Sequence, residues 1–148
     1  MKVHFAAAVT GGRDFEEYHP KIVSILESMG HKILSEHVVD FNKQKEFRAL
    51  AEKSGDSSKY ISSHNKKLMH KADLFVAECS QASLGTGFEV CYGAYVLKKP
   101  VIALRYKKAK GRASSTIFGD KSSFIKGYYY SDKGLKQALE KAVEEVRK

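Results

Sequence analysis

Residues 73–106 read DLFVAECSQASLGTGFEVCYGAYVLKKPVIALRY. The first seven residues are apolar almost throughout, which predicts a strand that is buried on both of its faces. Glycines and hydroxyl residues then form a loop, and residues 87–99 carry the pattern of a helix that Pro100 ends. Residues 100–106 are again apolar and predict the next strand. This order of strand, loop, helix and strand is typical of the crossover that joins two parallel strands of one sheet.

The rest of the chain continues this alternation of strands and helices. Apolar side chains between Phe15 and Met29 recur at helical spacing, with Pro20 as the expected first residue of the regular helix. A final helix is expected to start near Ser131. The other predicted elements are strands over 2–9, 31–39 and 124–130, a partly helical stretch over 42–56 and a helix over 58–72. We therefore predict an α/β fold, a single-domain Rossmann-like or flavodoxin-like three-layer sandwich over residues 1–148, with a mostly parallel five-stranded sheet.

The 148 residues carry a formal net charge of +9 in an otherwise ordinary globular composition. Basic clusters such as RYKKAKGR (105–112) do not alternate with aromatic residues, so we expect solvated faces and no nucleic-acid partner. No run of about 18 apolar residues is present, and we expect no membrane partner. Cys79 and Cys91 lie within apolar runs, and the first residues lack a signal-peptide pattern. These features predict a cytoplasmic protein with reduced thiols.

Ligands of open parallel sheets bind beyond the carboxyl ends of the strands, so the loops at those ends are the first places to look for a site. The loop TGGRD (10–14) offers the hydroxyl of Thr10, the backbone of Gly11 and Gly12 and the guanidinium of Arg13. This set suits a single phosphate group, and it equally suits a turn that needs glycine for its backbone angles. The G-x-G-x-x-G spacing of a dinucleotide site is absent.

The second loop, SLGTGFE (83–89), places a lone carboxylate, Glu89, after hydroxyl residues and glycines. With a helix predicted from residue 87, Glu89 falls in the first turn. An acid there either complements the helix dipole or faces the crevice as a nucleophile, and the residues alone leave both open. The neighbouring hydrogen-bonding and small residues are Ser83, Gly85, Thr86 and Gly87.

Four segments, in order over residues 3 to about 130, resemble the nucleoside 2-deoxyribosyltransferase family: HFAAAVTGGRD, LSEHV, ADLFVAECSQASLGTGFEVCYGAYVLKKPVIAL and ASSTIFG. The GGR loop is most similar to that of the 2′-deoxynucleoside 5′-monophosphate N-hydrolases in this family. The resemblance implies that Glu89 attacks C1′ of the sugar and that Ser114 reaches the phosphate in the neighbouring subunit of a homodimer. It places Ser83, Gly85 and Gly87 along the sugar and phosphate, and Thr10, Gly11, Gly12 and Arg13 at the 5′-phosphate.

The implied activity is cleavage of the base–sugar bond of a nucleoside or (deoxy)nucleoside 5′-monophosphate, with release of free base and sugar 5-phosphate. A carboxylate stabilises or traps the oxocarbenium-like transition state, so no metal or organic cofactor is expected. One alternative is transfer of the sugar to a second base. Another is a cytokinin-type phosphoribohydrolase, because the segment GTGFE also resembles a loop of that family. An alternative of another class is a nucleotide-binding sensor with weak catalysis.

Several positions depart from the pattern of the family. Asn65 stands where its N-hydrolases carry an acid, and an amide cannot supply a titrating proton to the leaving base. His4 stands where an active-site tyrosine is common. Ala8 and Thr10 replace a hydroxyl and an arginine of the phosphate loop, which weakens the expected preference for a 5′-phosphate. The residues that could replace the missing acid are His64, Glu78 and Asp40, of which His64 and Asp40 equally fit as ordinary surface residues.

Overall fold

A five-stranded sheet forms the centre of the structure, a computed structural model that describes residues 1–9, 12 and 14–147. Helices alternate with its strands along the chain. The strands are β1 (Lys2–Ala6), β2 (Lys32–Ile33), β3 (Leu74–Glu78), β4 (Val101–Tyr106) and β5 (Ile125–Tyr130). The helices are α1 (Tyr18–Ser28), α2 (Phe41–Lys53), α3 (Ser57–Lys71), α4 (Leu84–Cys91), α5 (Ser115–Phe118) and α6 (Leu135–Val146), with a 3₁₀ turn at Glu36–Val38 and a π-helical turn at Tyr92–Val96.

The strand pairs of this sheet are parallel, in the order β2-β1-β3-β4-β5. His4 of β1 lies beside Phe75 of β3, and Ala77 of β3 lies beside Ala103 of β4. This is the flavodoxin-like order, in which the direction of winding reverses between β1 and β3. The carboxyl ends of these two strands therefore open a crevice where ligands of such sheets bind. The α/β class and the five-stranded parallel sheet predicted from the sequence are confirmed.

Apolar side chains fill both sides of the sheet. Leu26 of α1 and Leu139 of α6 are fully buried in one core cluster. On the opposite side, Met69 of α3 and Val90 of α4 pack in a second cluster with Phe75. Burial of each such side chain stabilises the fold by about 1.5–3 kcal/mol relative to its exposure. The helices thus form the two outer layers of the predicted sandwich.

The second strand is much shorter than the sequence predicts, because a serine side chain takes over its pairing. Residues 31–39 are predicted as a strand, yet only Lys32–Ile33 pair with β1. Ser35 Oγ then accepts a hydrogen bond from the backbone N–H of Phe5 and donates one to its carbonyl oxygen, both at 2.8 Å. The main chain turns away from the sheet into the 3₁₀ turn, which carries His37.

Other element boundaries also differ from the prediction. β1 ends at Ala6 rather than at residue 9, whereas the stretch 42–56 is partly helical as predicted, with its helix α2 ending at Lys53. The short helix Ser115–Phe118 is not predicted. The final helix begins at Leu135, because the chain first makes a turn in which Gly134 N–H donates to Ser131 O at 3.1 Å.

The helix that carries the lone carboxylate starts three residues earlier than predicted. Ser83 caps it, since its side-chain oxygen accepts a hydrogen bond from Thr86 N–H at 3.2 Å. The first helical residue is therefore Leu84, and Glu89 lies in the second turn. The expectation of a first-turn acid is wrong, and interaction with the helix dipole no longer accounts for Glu89, because that effect is confined to the first turn.

Candidate active site

A cavity of about 280 Å³ lies at the carboxyl end of β1, bordered by α2, α3 and α4. Glu89 lies in its wall together with Gly85 and Thr86 of the same helix, so the first two turns of α4 border the cavity. This is the crevice that the strand order predicts for a ligand. The remaining walls are formed by Ala6, Ala7, Val9, His37, Val38, Gln44, Phe47, Arg48, Ile61, Asn65 and Ser83.

Both carboxylate oxygens of Glu89 are held by neighbouring side chains. His4 Nε2 lies 3.0 Å from Oε2, and Asn65 Nδ2 donates to Oε1 at 3.4 Å. The Glu89 side chain is only 16% exposed to solvent. Two donors from different elements, β1 and α3, therefore fix the orientation of a carboxylate that faces the cavity. A fixed carboxylate of this kind suits attack on a sugar carbon.

The histidine beside Glu89 is itself rigidly placed. His4 is 1% exposed, and its ring lies 5.2 Å from the ring of Phe75, centre to centre. Its other nitrogen, Nδ1, is buried and has no hydrogen-bond partner among the described residues. A proton on Nδ1 would remain unpaired, which favours the tautomer with its proton on Nε2, where it is donated to Glu89. The sequence marks His4 as a departure from the family, and the structure shows that its side chain contacts Glu89 and Phe75.

His37 and Phe47, two members of an aromatic cluster, lie in the wall of the cavity. The ring of His37 lies 4.4 Å from that of Phe47 and 5.8 Å from that of His64. Burial lowers the pKa of His37 to about 4, with smaller contributions from the positive charge that His64 and His4 would carry. His37 is therefore a neutral imidazole at pH 7, able to hydrogen-bond a ligand. Sequence reasoning missed His37 as a site residue, although the segment LSEHV that contains it carries part of the family resemblance.

The three residues named as substitutes for the missing acid have other partners and do not line the cavity. Asp40 caps α2 and accepts a hydrogen bond from Lys43 N–H at 3.0 Å. Glu78 is 1% exposed and accepts hydrogen bonds from Ser80 and Tyr130, while burial raises its pKa. His64 packs against the rings of the aromatic cluster, and burial lowers its pKa. None of them is placed to protonate a base beside Glu89.

The loop predicted to hold phosphate lies mainly outside the described residues, which leaves the roles of Thr10, Gly11 and Arg13 as predictions. Gly12 is described, and its φ of +131° requires glycine. A Cβ atom at this position would lie 1.8 Å from Nε2 of Gln81, so the two predicted loops meet here in close contact. Gln81 also accepts a hydrogen bond from Asp14 N–H at 3.3 Å.

The structure places the remaining predicted residues at the start of α4 and α5. Ser83 lines the cavity that holds Glu89 and also a second cavity of about 600 Å³, which Ser114 lines as well. A Cβ atom at Gly87 would meet nothing within 4 Å, and one at Gly85 only Ser83 Oγ at 3.9 Å. The space beside both glycines is thus open, and their contact with a ligand remains a prediction, as does the contact of Ser114 across a homodimer.

The names of known relatives of this chain describe enzymes that act on nucleotides. A protein of Thermofilum pendens with the provisional name 2′-deoxynucleoside 5′-phosphate N-hydrolase 1 is 33% identical over 95% of this chain and 92% of its own length. The 5-hydroxymethyl-dUMP N-hydrolase of Rattus norvegicus is 34% identical over 78% of this chain and 66% of its own length. The enzyme of the same name from Tetraodon nigroviridis is 32% identical over 95% of both chains.

A solved structure supports the fold independently. The CMP N-glycosidase of Clostridium botulinum superposes with a TM-score of 0.59 over 95% of this chain and 97% of its own, at 17% identity, a level that is evidence for the fold alone. The sequence profile of the nucleoside 2-deoxyribosyltransferase family matches residues 3–139, which is nearly the whole chain. With this match and relatives above 30% identity, the chain belongs to the nucleoside 2-deoxyribosyltransferase family.

Proposed function

We propose that this protein is a nucleotide N-glycosidase, which cleaves the base–sugar bond of a (deoxy)nucleoside 5′-monophosphate with Glu89 as the nucleophile. The observation that carries the proposal is the Glu89 carboxylate, held by His4 and Asn65 in the wall of a cavity at the carboxyl end of β1. The names of the relatives support the substrate class, since they are hydrolases of nucleoside 5′-phosphates.

The reaction runs in two displacements at the anomeric carbon. One oxygen of Glu89 attacks C1′, and the electron pair of the C1′–N bond leaves with the base. Water then attacks C1′ of the glycosyl ester, the bond from C1′ to the Glu89 oxygen breaks, and the proton that water gives up neutralises the departed base, which restores the carboxylate and yields the sugar 5-phosphate. Phe47 and His37, whose rings are tilted by 36° to each other, supply an aromatic wall with a neutral imidazole for the base. Attack by a second base in place of water would give transfer instead of hydrolysis.

The decisive experiment is a panel of nucleosides and nucleoside 5′-monophosphates, with ribose and deoxyribose, incubated with the purified protein. Chromatography of free base measures hydrolysis, and a second base added as acceptor measures transfer. We expect release of base from at least one monophosphate, and no release from a sample that carries Glu89→Gln. Tight binding of nucleotides without any release would instead favour the sensor alternative, which the amide at Asn65 supports.

We further propose that the protein is a cytoplasmic homodimer. Four large apolar side chains along α4 and the π-helical turn are exposed, with Leu84 at 97% and Phe88 at 51%. The others are Tyr95 and Val96. Several exposed large apolar side chains on neighbouring turns are typical of a protein–protein interface, and light scattering of the purified protein tests for a dimer. Within the described part of the chain, no helix is long and apolar enough to cross a membrane.

Replacement of Arg13 by alanine tests the phosphate loop. If the guanidinium binds the 5′-phosphate, KM for a monophosphate should rise at least tenfold, because a charge-assisted hydrogen bond is worth about 1.5–3 kcal/mol. KM for the matching nucleoside should change little. Steady-state kinetics on both substrates makes the comparison, and equal changes in the two would assign the GGR turn a structural role.

A pair of substitutions at His4 tests whether its Nε2–H orients Glu89. His4→Gln keeps a donor near the position of Nε2, whereas His4→Leu removes it at similar volume. We expect kcat to fall by about 10–100-fold in His4→Leu with KM nearly unchanged, since misplacement of a reacting group acts on the chemical step. His4→Gln should recover most of the loss. Equal kcat values in two folded variants would refute this positioning role.

A further inference from the structure

A buried carboxylate that the proposed reaction does not use lies at the end of β3. Glu78 is the last residue of this strand and is 1% exposed. It does not line the cavity that holds Glu89, so any effect on the reaction must pass through other residues. Because a carboxylate at this depth is costly unless it is hydrogen-bonded, the groups that bind it indicate its role.

Three donors converge on the carboxylate of Glu78, and two of them belong to Ser80. The backbone N–H of Ser80 lies 3.2 Å from Oε1 and 3.3 Å from Oε2, and the hydroxyl of Ser80 also donates to Oε1. The hydroxyl of Tyr130, on β5, donates to Oε1 at 3.0 Å. Burial raises the pKa of Glu78, whereas these hydrogen bonds and the charge of Arg105 act in the opposite direction.

Ser80 is held at each of its polar groups. Its Oγ accepts a hydrogen bond from Tyr106 N–H at 2.7 Å, and its carbonyl oxygen accepts one from the guanidinium of Arg105 at 3.2 Å. Its own hydroxyl proton is donated to Glu78, which therefore acts as an acceptor toward both the main chain and the side chain of this residue. The loop that follows β3 thus begins at a residue fixed between Glu78 and the end of β4.

The loop that begins at Ser80 reaches two parts of the candidate active site. Gln81 lies against Gly12 of the GGR turn. Two residues further on, Ser83 lines the cavity and caps α4, the helix that carries Glu89. Active-site groups keep a productive geometry only where the residues behind them are fixed in turn. A displacement of Ser80 would therefore pass to the GGR turn and to the start of α4.

We propose that Glu78 is a positioning residue for the candidate active site: through Ser80, its carboxylate fixes the loop over 80–83 and with it the start of α4. The effect on base release rests on the proposed function, whereas the anchoring of the loop can be measured without any activity. The proposal gives a role to an acid that sequence reasoning considered only as a proton donor.

Amide hydrogen exchange of the folded protein tests the anchor directly. Glu78→Gln keeps the shape of the side chain but replaces one acceptor oxygen with an NH₂ group, which cannot accept from Ser80. We expect the amides over 80–83 to exchange at least tenfold faster in this variant. Tyr130→Phe removes one donor to the carboxylate and should act in the same direction, less strongly. The control Tyr128→Phe removes a hydroxyl of the same strand that donates to α6 instead, and it should leave this exchange unchanged.

Steady-state kinetics tests the positioning role. In Glu78→Gln we expect kcat for base release to fall by about 10–100-fold with a smaller change in KM, because a misplaced reacting group acts on the chemical step. Ser80→Ala should lower kcat at least threefold, and it decides the question if Glu78→Gln does not fold. Tyr128→Phe should keep the wild-type kcat. A merely structural role of Glu78 would lower the midpoint of thermal unfolding and leave kcat of the folded variant unchanged.

Two results would overturn the proposal: unchanged exchange over 80–83, or kcat within threefold of wild type in a folded Glu78→Gln sample. If the wild-type protein releases no base, the proposed function fails and titration calorimetry with nucleoside 5′-monophosphates decides the positioning role. We then expect Glu78→Gln to bind at least tenfold more weakly than the wild type and Tyr128→Phe, and equal affinities would overturn it. A wild-type protein that neither releases base nor binds a nucleotide would refute both proposals.

Discussion

Replacement of Glu89 by glutamine should reduce base release by about 10⁴-fold or more, because loss of a covalent nucleophile removes the principal route of the reaction. Glutamine has the shape of glutamate, but its amide does not attack C1′. The side chain is 16% exposed and hydrogen-bonded to two neighbours, so Glu89 is not a solvated surface acid. Free base measured by chromatography over long incubations gives the residual rate.

A matched variant separates chemistry from folding. Glu27→Gln removes the same charge from an exposed position on α1 and should leave turnover unchanged. Thermal unfolding of Glu89→Gln should give a transition near that of the wild-type protein, since the substitution keeps the volume of the side chain. Turnover in a folded Glu89→Gln sample within tenfold of wild type would remove Glu89 from the mechanism.

The fold was predictable because the apolar pattern and the connections leave few arrangements. A run such as LFVAE has no polar face and must be covered on both sides, and its crossover helix then fixes parallel pairing. The second strand was mispredicted for a local reason. Ser35 bonds both backbone groups of Phe5 with one hydroxyl, and no periodicity in the sequence reports such a contact.

The site was predictable only in part. A lone acid after a glycine-rich loop drew attention to Glu89, but its two partners come from 85 and 24 residues away in the chain. His4 and Asn65 were noticed as departures from the family, and only the fold shows that both contact the same carboxylate. His37 and Phe47 lie on elements whose boundaries were uncertain, so their meeting at the cavity could not be foreseen.

A gain of function is expected from Asn65→Asp, because the new carboxyl group would lie within reach of both Glu89 and a leaving base. Asn65 Nδ2 is 3.4 Å from Glu89 Oε1. Two carboxyl groups at this distance do not ionise together, and the pair retains one proton to a pH well above the usual range of an isolated acid. That proton can be donated to the base as the C1′–N bond breaks. General acid catalysis is typically worth about 10²–10⁴-fold, and the wild-type protein lacks it at this position.

The measurement is kcat against pH for the wild-type protein, Asn65→Asp and the control Asn65→Ala. We expect Asn65→Asp to exceed the wild type at least tenfold where the pair holds its proton, with the gain greatest for the poorest leaving bases. The gain should disappear as rising pH removes the proton, because two carboxylates then repel each other and no acid remains. Asn65→Ala should be slower than the wild type at every pH, since Glu89 loses a donor. A folded Asn65→Asp variant with no gain at any pH would show that position 65 does not supply a proton to the leaving base.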